Sequence, residues 1–174
     1  MPKFGFPAYG VHCNVWSKKK NSIILHLAKR SRKLKKFPGL YDNLIAGGQP
    51  TNISILDNLH KEGYEESGLK KKYTNLAKKS NVVHYKHNDK KNFNSAIIFI
   101  YQLEKLDEMH FSNTDGEVEG FLDVEIDELY KILENKELKA NCIIPILDFF
   151  ILKKNDFISK KVMLEIQKLF RGDV

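Results

Sequence analysis

The sequence is poor in cysteine, with Cys13 and Cys142 alone among its 174 residues. The two lie far apart and no secretory leader is recognisable, so they read as free thiols in a reducing cytoplasm, not as a disulfide. Neither has a metal-ligating neighbour at close sequence spacing. Nothing approaches the uninterrupted apolar run of ~18 residues that a membrane-crossing helix needs. Met1 to Tyr9 lacks the apolar core of a signal peptide. Internal repeats and domain-splitting linkers are also missing, so one domain over 1–174 is expected, long enough to bury a proper core.

What is present is ordinary for a globular chain: 42% hydrophobic and 29% charged residues. Net charge is +7, from 29 Lys and Arg against 22 Asp and Glu. The basic residues are scattered through Lys18–Lys20, Lys29–Lys36, Lys70–Lys72, Lys78–Lys79 and Lys90–Lys91. No nucleic-acid motif accompanies them, and the aromatics are not spaced as stacking platforms. A small phosphorylated substrate or a lysine-rich surface explains the charge better than nucleic acid does.

Pattern reading places strands over Tyr9–Trp16 and Ser22–Ala28, then a basic loop over Lys29–Lys36. Tyr41–Ala46 is expected to be one short strand leading into a Gly47–Gly48 turn. Asn81–His87 and Phe93–Leu103 form a strand pair, the second apolar enough to be central. A further strand carries Val118, Phe121 and Val124, with Gly116 turning into it. Helices are expected at Glu128–Glu134, at Cys142–Leu152 and from Asp156 or Ser159 to about Phe170. His12 and His26 are expected to be packed or hydrogen-bonded, and His84 and His87 to be surface residues.

The stretch Gly47–Leu69, GGQPTNISILDNLHKEGYEESGL, carries the chemistry. Asn52 or Ser54 can cap a helix that Gly68 stops. Ile55, Leu56 and Leu59 supply its apolar face. Glu62, Glu65 and Glu66 sit three and four residues apart, so their carboxylates are expected to project together. Like charges gathered on one helix face suit a hard divalent cation, and oxygen-only ligation suits Mg²⁺ or Mn²⁺.

This ordered set resembles the Nudix box: Gly, five residues, Glu, seven residues, Arg-Glu-apolar, one residue, Glu-Glu, one residue, Gly-apolar. Gly47 takes the opening glycine, Lys61 the arginine, and Glu62, Glu65 and Glu66 the later glutamates. Ile53 stands where the first glutamate belongs, and Gly63 replaces the apolar residue. The blocks GVHCNVW, LAKRSRKLKKFPGLYDNLIAGG, DGEVEGF and KANCIIPILDFFI resemble one Nudix branch, related to the domain attached to fungal thiamine pyrophosphokinase.

The resemblance implies an α/β (α+β) Nudix fold with a mixed β-sheet sandwiched between helices. It implies metal-dependent cleavage of a diphosphate, most specifically in oxidised or damaged thiamine diphosphate, giving the monophosphate and phosphate. Relatives in that branch carry an additional region before the Nudix part, which this chain does not show, so another nucleoside-linked diphosphate stays open. So does a diphosphate-binding module without turnover. By the same resemblance, Glu62, Glu65, Glu66 and the Gly47 carbonyl hold metal, and Lys61 orients a carboxylate. Glu65, Glu117 and Glu119 compete for the role of general base. Alternation along a strand is expected to aim Glu117 and Glu119 at the site together. Lys29, Arg30 and Arg32 are expected to grip the diphosphate, with Gly48 and Tyr41 beside the substrate. A monomer or homodimer is expected.

Overall fold

A computed structural model describes residues 6–20, 22–89 and 92–153. The expected C-terminal helix to Phe170 lies outside them. Two long strands open the chain, β1 (Ala8–Lys19) and β2 (Ser22–Arg30), paired antiparallel. Val11 to Trp16 are all buried, because β1 is covered on both sides. β2 runs two residues past its apolar stretch, so Lys29 and Arg30 belong to a strand rather than to the basic loop.

The stretch expected as one strand is two: β3 (Tyr41–Asn43) and β4 (Ile45–Gly48). The reason is a fork in the sheet. β1 pairs with β2 only from Val15 onward, while Gly10–Cys13 pair with β4. β2 likewise exchanges β1 for β3 at Leu27–Lys29. The chain changes partner at Leu44, and local pattern cannot show that. Gly47 and Gly48 are therefore the end of a paired strand, not a free turn.

After β4 come α1 (Ile55–Ser67), the short α2 (Lys71–Thr74), and the long hairpin of β5 (Lys78–Asp89) and β6 (Asn92–Glu104). β7 (Val118–Val124), α3 (Ile126–Glu134), a 3₁₀ turn at Ala140–Cys142 and α4 (Ile143–Lys153) follow. The strand order is β3-β2-β1-β6-β5, with β4 beside β1 and β7 beside β2. β6 is central as expected and lies parallel to β1, whereas the other pairings are antiparallel, so the sheet is mixed.

Helices cover both faces. One core joins Trp16, Leu25, Leu27 and Val124 to Leu129 and Ile132 of α3 and Ile146, Phe149 and Phe150 of α4. The other joins Val11, Cys13, Val15 and Ile45 to Leu59 of α1, with Leu69 and Met109. His26 is a bonded sheet residue, as expected: its Nδ1 lies 2.6 Å from Asp123 Oδ1 and its Nε2 3.0 Å from Ser17 Oγ.

Cap chemistry fixes α1. Ser54 Oγ accepts from the Asp57 amide and donates to the Asp57 carboxylate. At the other end Gly68 adopts φ +67°, its amide bonding Tyr64 O while that of Leu69 bonds Gly63 O. Leu56 is exposed, so the inward stripe is Ile55, Leu59, Gly63 and Glu66 rather than the expected Ile55, Leu56 and Leu59. Gly63 is explained by this packing. A Cβ there would lie 2.7 Å from Thr74 Cγ2 and 3.2 Å from Ile45 Cδ1, so the glycine lets α1 approach β4 and α2 closely.

Candidate active site

The acids of α1 are neighbours of unequal burial. Residues four apart stack along a helix, which gives two adjacent columns, Lys61–Glu65 and Glu62–Glu66. Glu66 falls on the inward stripe and is buried, with Oε2 accepting from the Ala46 amide of β4 at 2.8 Å. Burial pushes its pKa well up, and the charges of Asp42 and Glu62 push the same way. Glu62 folds back against β4, where a Cβ built on Gly47 would sit 2.1 Å from its Cδ. This contact is the physical reason for a glycine at position 47. Partial burial raises the Glu62 pKa, helped by the nearby charges of Glu65 and Glu117.

Lys61 links the columns. Its Nζ lies 2.5 Å from Glu65 Oε2 and 3.2 Å from Glu62 Oε1. The ammonium therefore bonds two carboxylates at once, and it does so as a point charge, without the fork of an arginine. With Ile53 in place of the first glutamate, the loop before α1 is tied by Gln49, whose Nε2 donates to Pro50 O and Ile53 O.

A second element delivers another acid. The last carbonyls of a helix lack partners inside it, and here the 112–114 segment supplies them. Ser112 N donates to Ser67 O, Thr114 N to Glu65 O, and Thr114 Oγ1 to Tyr64 O and Glu65 O. Asn113 Oδ1 then accepts from the amides of Asp115 and Gly116, turning the chain into β7. Glu117 arrives close enough for its charge to raise the Glu62 pKa.

Glu119 does not join it. The register of β7 against β2 slips between Lys29 and Arg30, and this bulge breaks the alternation that would align Glu117 with Glu119. Glu119 turns to the basic segment instead. Its Oε2 accepts from the Arg32 amide, and its Oε1 lies 3.4 Å from Arg32 Nη1 and 4.0 Å from Lys29 Nζ.

Arg30 also differs from expectation. Its Nη1 donates to the buried Asp42 at 3.1 Å, so it braces β2 against β3. Arg32 is exposed, and Lys29 lies over the Tyr41 ring at 5.6 Å. Of the expected basic trio, Arg32 and Lys29 face outward and Arg30 faces in.

Sequence spacing hid a buried cluster beneath β4. Ligand atoms of His12, Asp42 and Cys142 lie within 4.8 Å of one another. Cys142 has no ligating residue nearby in sequence, yet it has two nearby in space. Asp42 is nevertheless fully engaged. It accepts from Arg30, Lys139 at 2.7 Å, Cys142 Sγ and the Asn43 amide. Two cations already surround one carboxylate, and Lys139 holds the Asp42 pKa below its ordinary value despite burial. The cluster is charge-compensated, whereas among the described residues Glu62 and Glu65 share Lys61 as their one ion-pair partner, so the glutamates of α1 are the better cation site. A hollow of about 780 Å³ lined by Ser17, Ile24, Asp123, Asp127 and Lys131 lies toward the opposite end of β1 and contains none of these acids.

A mixed sheet between helices, with a Gly-strand–loop–helix unit presenting the acids, defines the Nudix fold. No family model matches the chain. It is 35% identical over 149 residues to Nudix hydrolase 20, chloroplastic, of Arabidopsis thaliana, covering 85% of this chain and 40% of that protein. It is 33% identical over 149 residues to Nudix hydrolase 24, chloroplastic, of the same plant, covering 85% and 41%. Among solved structures, it is similar to a bifunctional NMN adenylyltransferase/ADP ribose pyrophosphatase from Francisella tularensis. That match has a TM-score of 0.63 at 12% identity and covers 88% of this chain and 44% of that one. Over 85% of its length the chain is similar to these two Nudix hydrolases, and it spans about two fifths of the length of the curated relatives it matches. No helix among the described residues is long and apolar enough to cross a membrane.

Proposed function

We propose that this chain is a metal-dependent hydrolase of a diphosphate linkage, acting on oxidised or damaged thiamine diphosphate to give the monophosphate and phosphate. The observation that carries the reading is the gathering of Glu65, Glu66 and Glu117 about Glu62, which rests on Gly47 and bonds Lys61. Burial and mutual repulsion disfavour the charged forms of Glu62 and Glu66, a cation would favour them, and an all-oxygen donor set suits Mg²⁺ or Mn²⁺. Glu62, Glu65 and Glu66 would hold the ion, with the Gly47 carbonyl beside them. When bound, it neutralises phosphate oxygens and acidifies water.

The remaining roles follow from position. Glu117 is exposed, and among the described residues no cation pairs with it, so it is the best general base. Glu65 is held by Lys61, and Glu119 by Arg32. Lys61 positions Glu65. Arg32 and Lys29 hold the diphosphate by charge-assisted bonds, and releasing Glu119 is the cost of doing so. Tyr41 and Gly48 border the substrate. A reducing compartment such as the cytoplasm fits the two buried free thiols.

The thiamine assignment rests on the branch resemblance of the DN-x-x-AGG and DGEVEGF blocks. Phosphate release should be measured with Mg²⁺ and with Mn²⁺ across thiamine diphosphate, its oxidised forms, dinucleotides and nucleotide sugars. Turnover is expected on the thiamine compounds and lost in Glu65→Gln. Turnover confined to nucleotides would replace the substrate, and no turnover on any diphosphate would leave only a binding module.

A further inference from the structure

The far end of β1 holds side chains that the diphosphate chemistry does not use. Paired positions on neighbouring strands carry their side chains on one side of a sheet. His26 of β2 pairs with Val15 of β1 and with Asp123 of β7, and Ser17 lies two residues beyond Val15 on the same side. Three strands therefore deliver a hydroxyl, an imidazole and a carboxylate to one spot, although they are far apart in sequence.

The three groups are bonded in series. Ser17 Oγ lies 3.0 Å from His26 Nε2, and His26 Nδ1 lies 2.6 Å from Asp123 Oδ1. An ionised carboxylate only accepts, so Asp123 fixes the ring proton on Nδ1. Nε2 is then an acceptor, and the Ser17 hydroxyl donates to it. Burial lowers the His26 pKa against the opposing pull of Asp123, so the imidazole is neutral at pH 7. Phe111 meets the ring edge-on at a centroid distance of 5.4 Å and holds its plane. A neutral base in this tautomer, bonded to a hydroxyl, is the arrangement that activates a serine for attack.

Access follows the same order. His26 is buried, whereas Ser17 is partly exposed and lines the hollow of about 780 Å³ described above. Ile24 gives that hollow an apolar wall. Lys19 is paired with Glu125 at 3.7 Å, while Lys131 lines the hollow with no carboxylate at ion-pair distance among the described residues. Its ammonium is therefore available to an oxygen that gains negative charge. The Asp123 side chain is 69% exposed, so water weakens its hold on a charged imidazolium, and turnover is slow.

We propose that Ser17, His26 and Asp123 form a second hydrolytic site, acting on short-chain carboxylic esters. Ser17 Oγ attacks the ester carbonyl as its proton passes to His26 Nε2. The bond to the alcohol oxygen breaks, and that oxygen leaves with the proton from His26. Water then attacks the acyl-serine and gives a proton to His26 Nε2, which returns it to Ser17 Oγ as the acid departs. The sum is ester plus water to acid plus alcohol. Ser17 and His26 are the catalytic residues, and Asp123 is a positioning residue that acts through the ring. This activity does not rest on the diphosphatase reading.

The test is labelling of the full chain, in EDTA, with an alkyl fluorophosphonate, whose phosphorus an activated serine oxygen attacks with loss of fluoride. Peptide mass mapping is expected to find the adduct on Ser17. Ser17→Ala should abolish it and bring hydrolysis of p-nitrophenyl butyrate down to the rate of the heat-unfolded chain, while metal-dependent phosphate release stays unchanged. Asp123→Asn should slow labelling about a hundredfold, the lower end of what a general base contributes, because an amide donating to Nδ1 moves the ring proton to Nε2. Asp123→Glu should restore most of the rate, and neither change should move the melting temperature by more than about 2 °C. An unlabelled Ser17, labelling no faster than in the unfolded chain, or a rate unchanged in folded Asp123→Asn would overturn the proposal and leave the trio as the partners that a buried imidazole needs.

Discussion

Gly47→Ala is the sharpest perturbation the structure offers. The new Cβ would lie 2.1 Å from Glu62 Cδ and 2.5 Å from Cγ and Oε1. Carbon–carbon contact is comfortable near 3.5 Å, so the carboxyl must retreat by more than about 1 Å. The backbone need not move, since position 47 does not have positive φ and the obstructed atoms end a flexible side chain. Replacing glycine within a strand gains about 0.5–1 kcal/mol of backbone entropy, which offsets the repositioning of Glu62. Stability is therefore expected to stay level or rise. A displacement of about 1 Å at a reacting centre costs on the order of 10²-fold in rate. We expect kcat for phosphate release to fall about a hundredfold and Mn²⁺ affinity, followed by electron paramagnetic resonance, to fall as well. Thermal unfolding should be unchanged within about 2 °C. Full activity and unaltered Mn²⁺ affinity in Gly47→Ala would refute the claim that Glu62 must rest on this strand.

Two further perturbations separate the acids from the cluster beneath them. Glu66 has a folded-state pKa raised above its ordinary 4.5 by burial. Between those values the folded chain holds a proton that the unfolded chain releases, so metal-free stability falls as pH rises through that window. Glu66→Gln should remove this fall and raise the metal-free melting temperature near pH 8, which melting curves from pH 4.5 to 8 with EDTA would show. Asp42→Asn would leave Arg30 and Lys139 without their shared counter-charge in a buried setting. Urea denaturation should report a loss of about 3–5 kcal/mol, and a loss under 1 kcal/mol would show that water already screens the cluster.

Much of the architecture was legible in the sequence because it depends on local chemistry. Ser54 and Gly68 announced both ends of α1, and the apolar runs of β2, β6 and α4 declared their burial. The break between β3 and β4 was hidden because it follows from a change of partner strand, which no window around Leu44 contains. Gly63 looked like a defect by propensity, and only Thr74 and Ile45 pressing on it reveal its use. The acids were found, but their unequal burial was not. Helical spacing shows that Glu62, Glu65 and Glu66 are neighbours, while which of them faces the sheet depends on how α1 is rolled onto it. Arg30 was misplaced for a related reason, since the carboxylate that draws it inward lies across the β2–β3 pairing.

The fork at Asn14 also has a temporal meaning. The hairpin of β1 and β2 is complete once Arg30 leaves the ribosome, but the parallel partner of β1 begins with Ala96 pairing Ala8. At synthesis rates of about 5–20 residues per second, one edge of β1 waits on the order of several seconds for that partner. Loop closure over such a separation is slow in free folding as well. During the wait the Val11–Val15 stretch is an open apolar edge, the kind that recruits foreign strands. β4, made midway, can occupy the opposite edge from Gly10 to Cys13 while β6 is still unmade. The strand that later supports the acids thus closes one edge of β1 early and leaves only the β6 edge to wait.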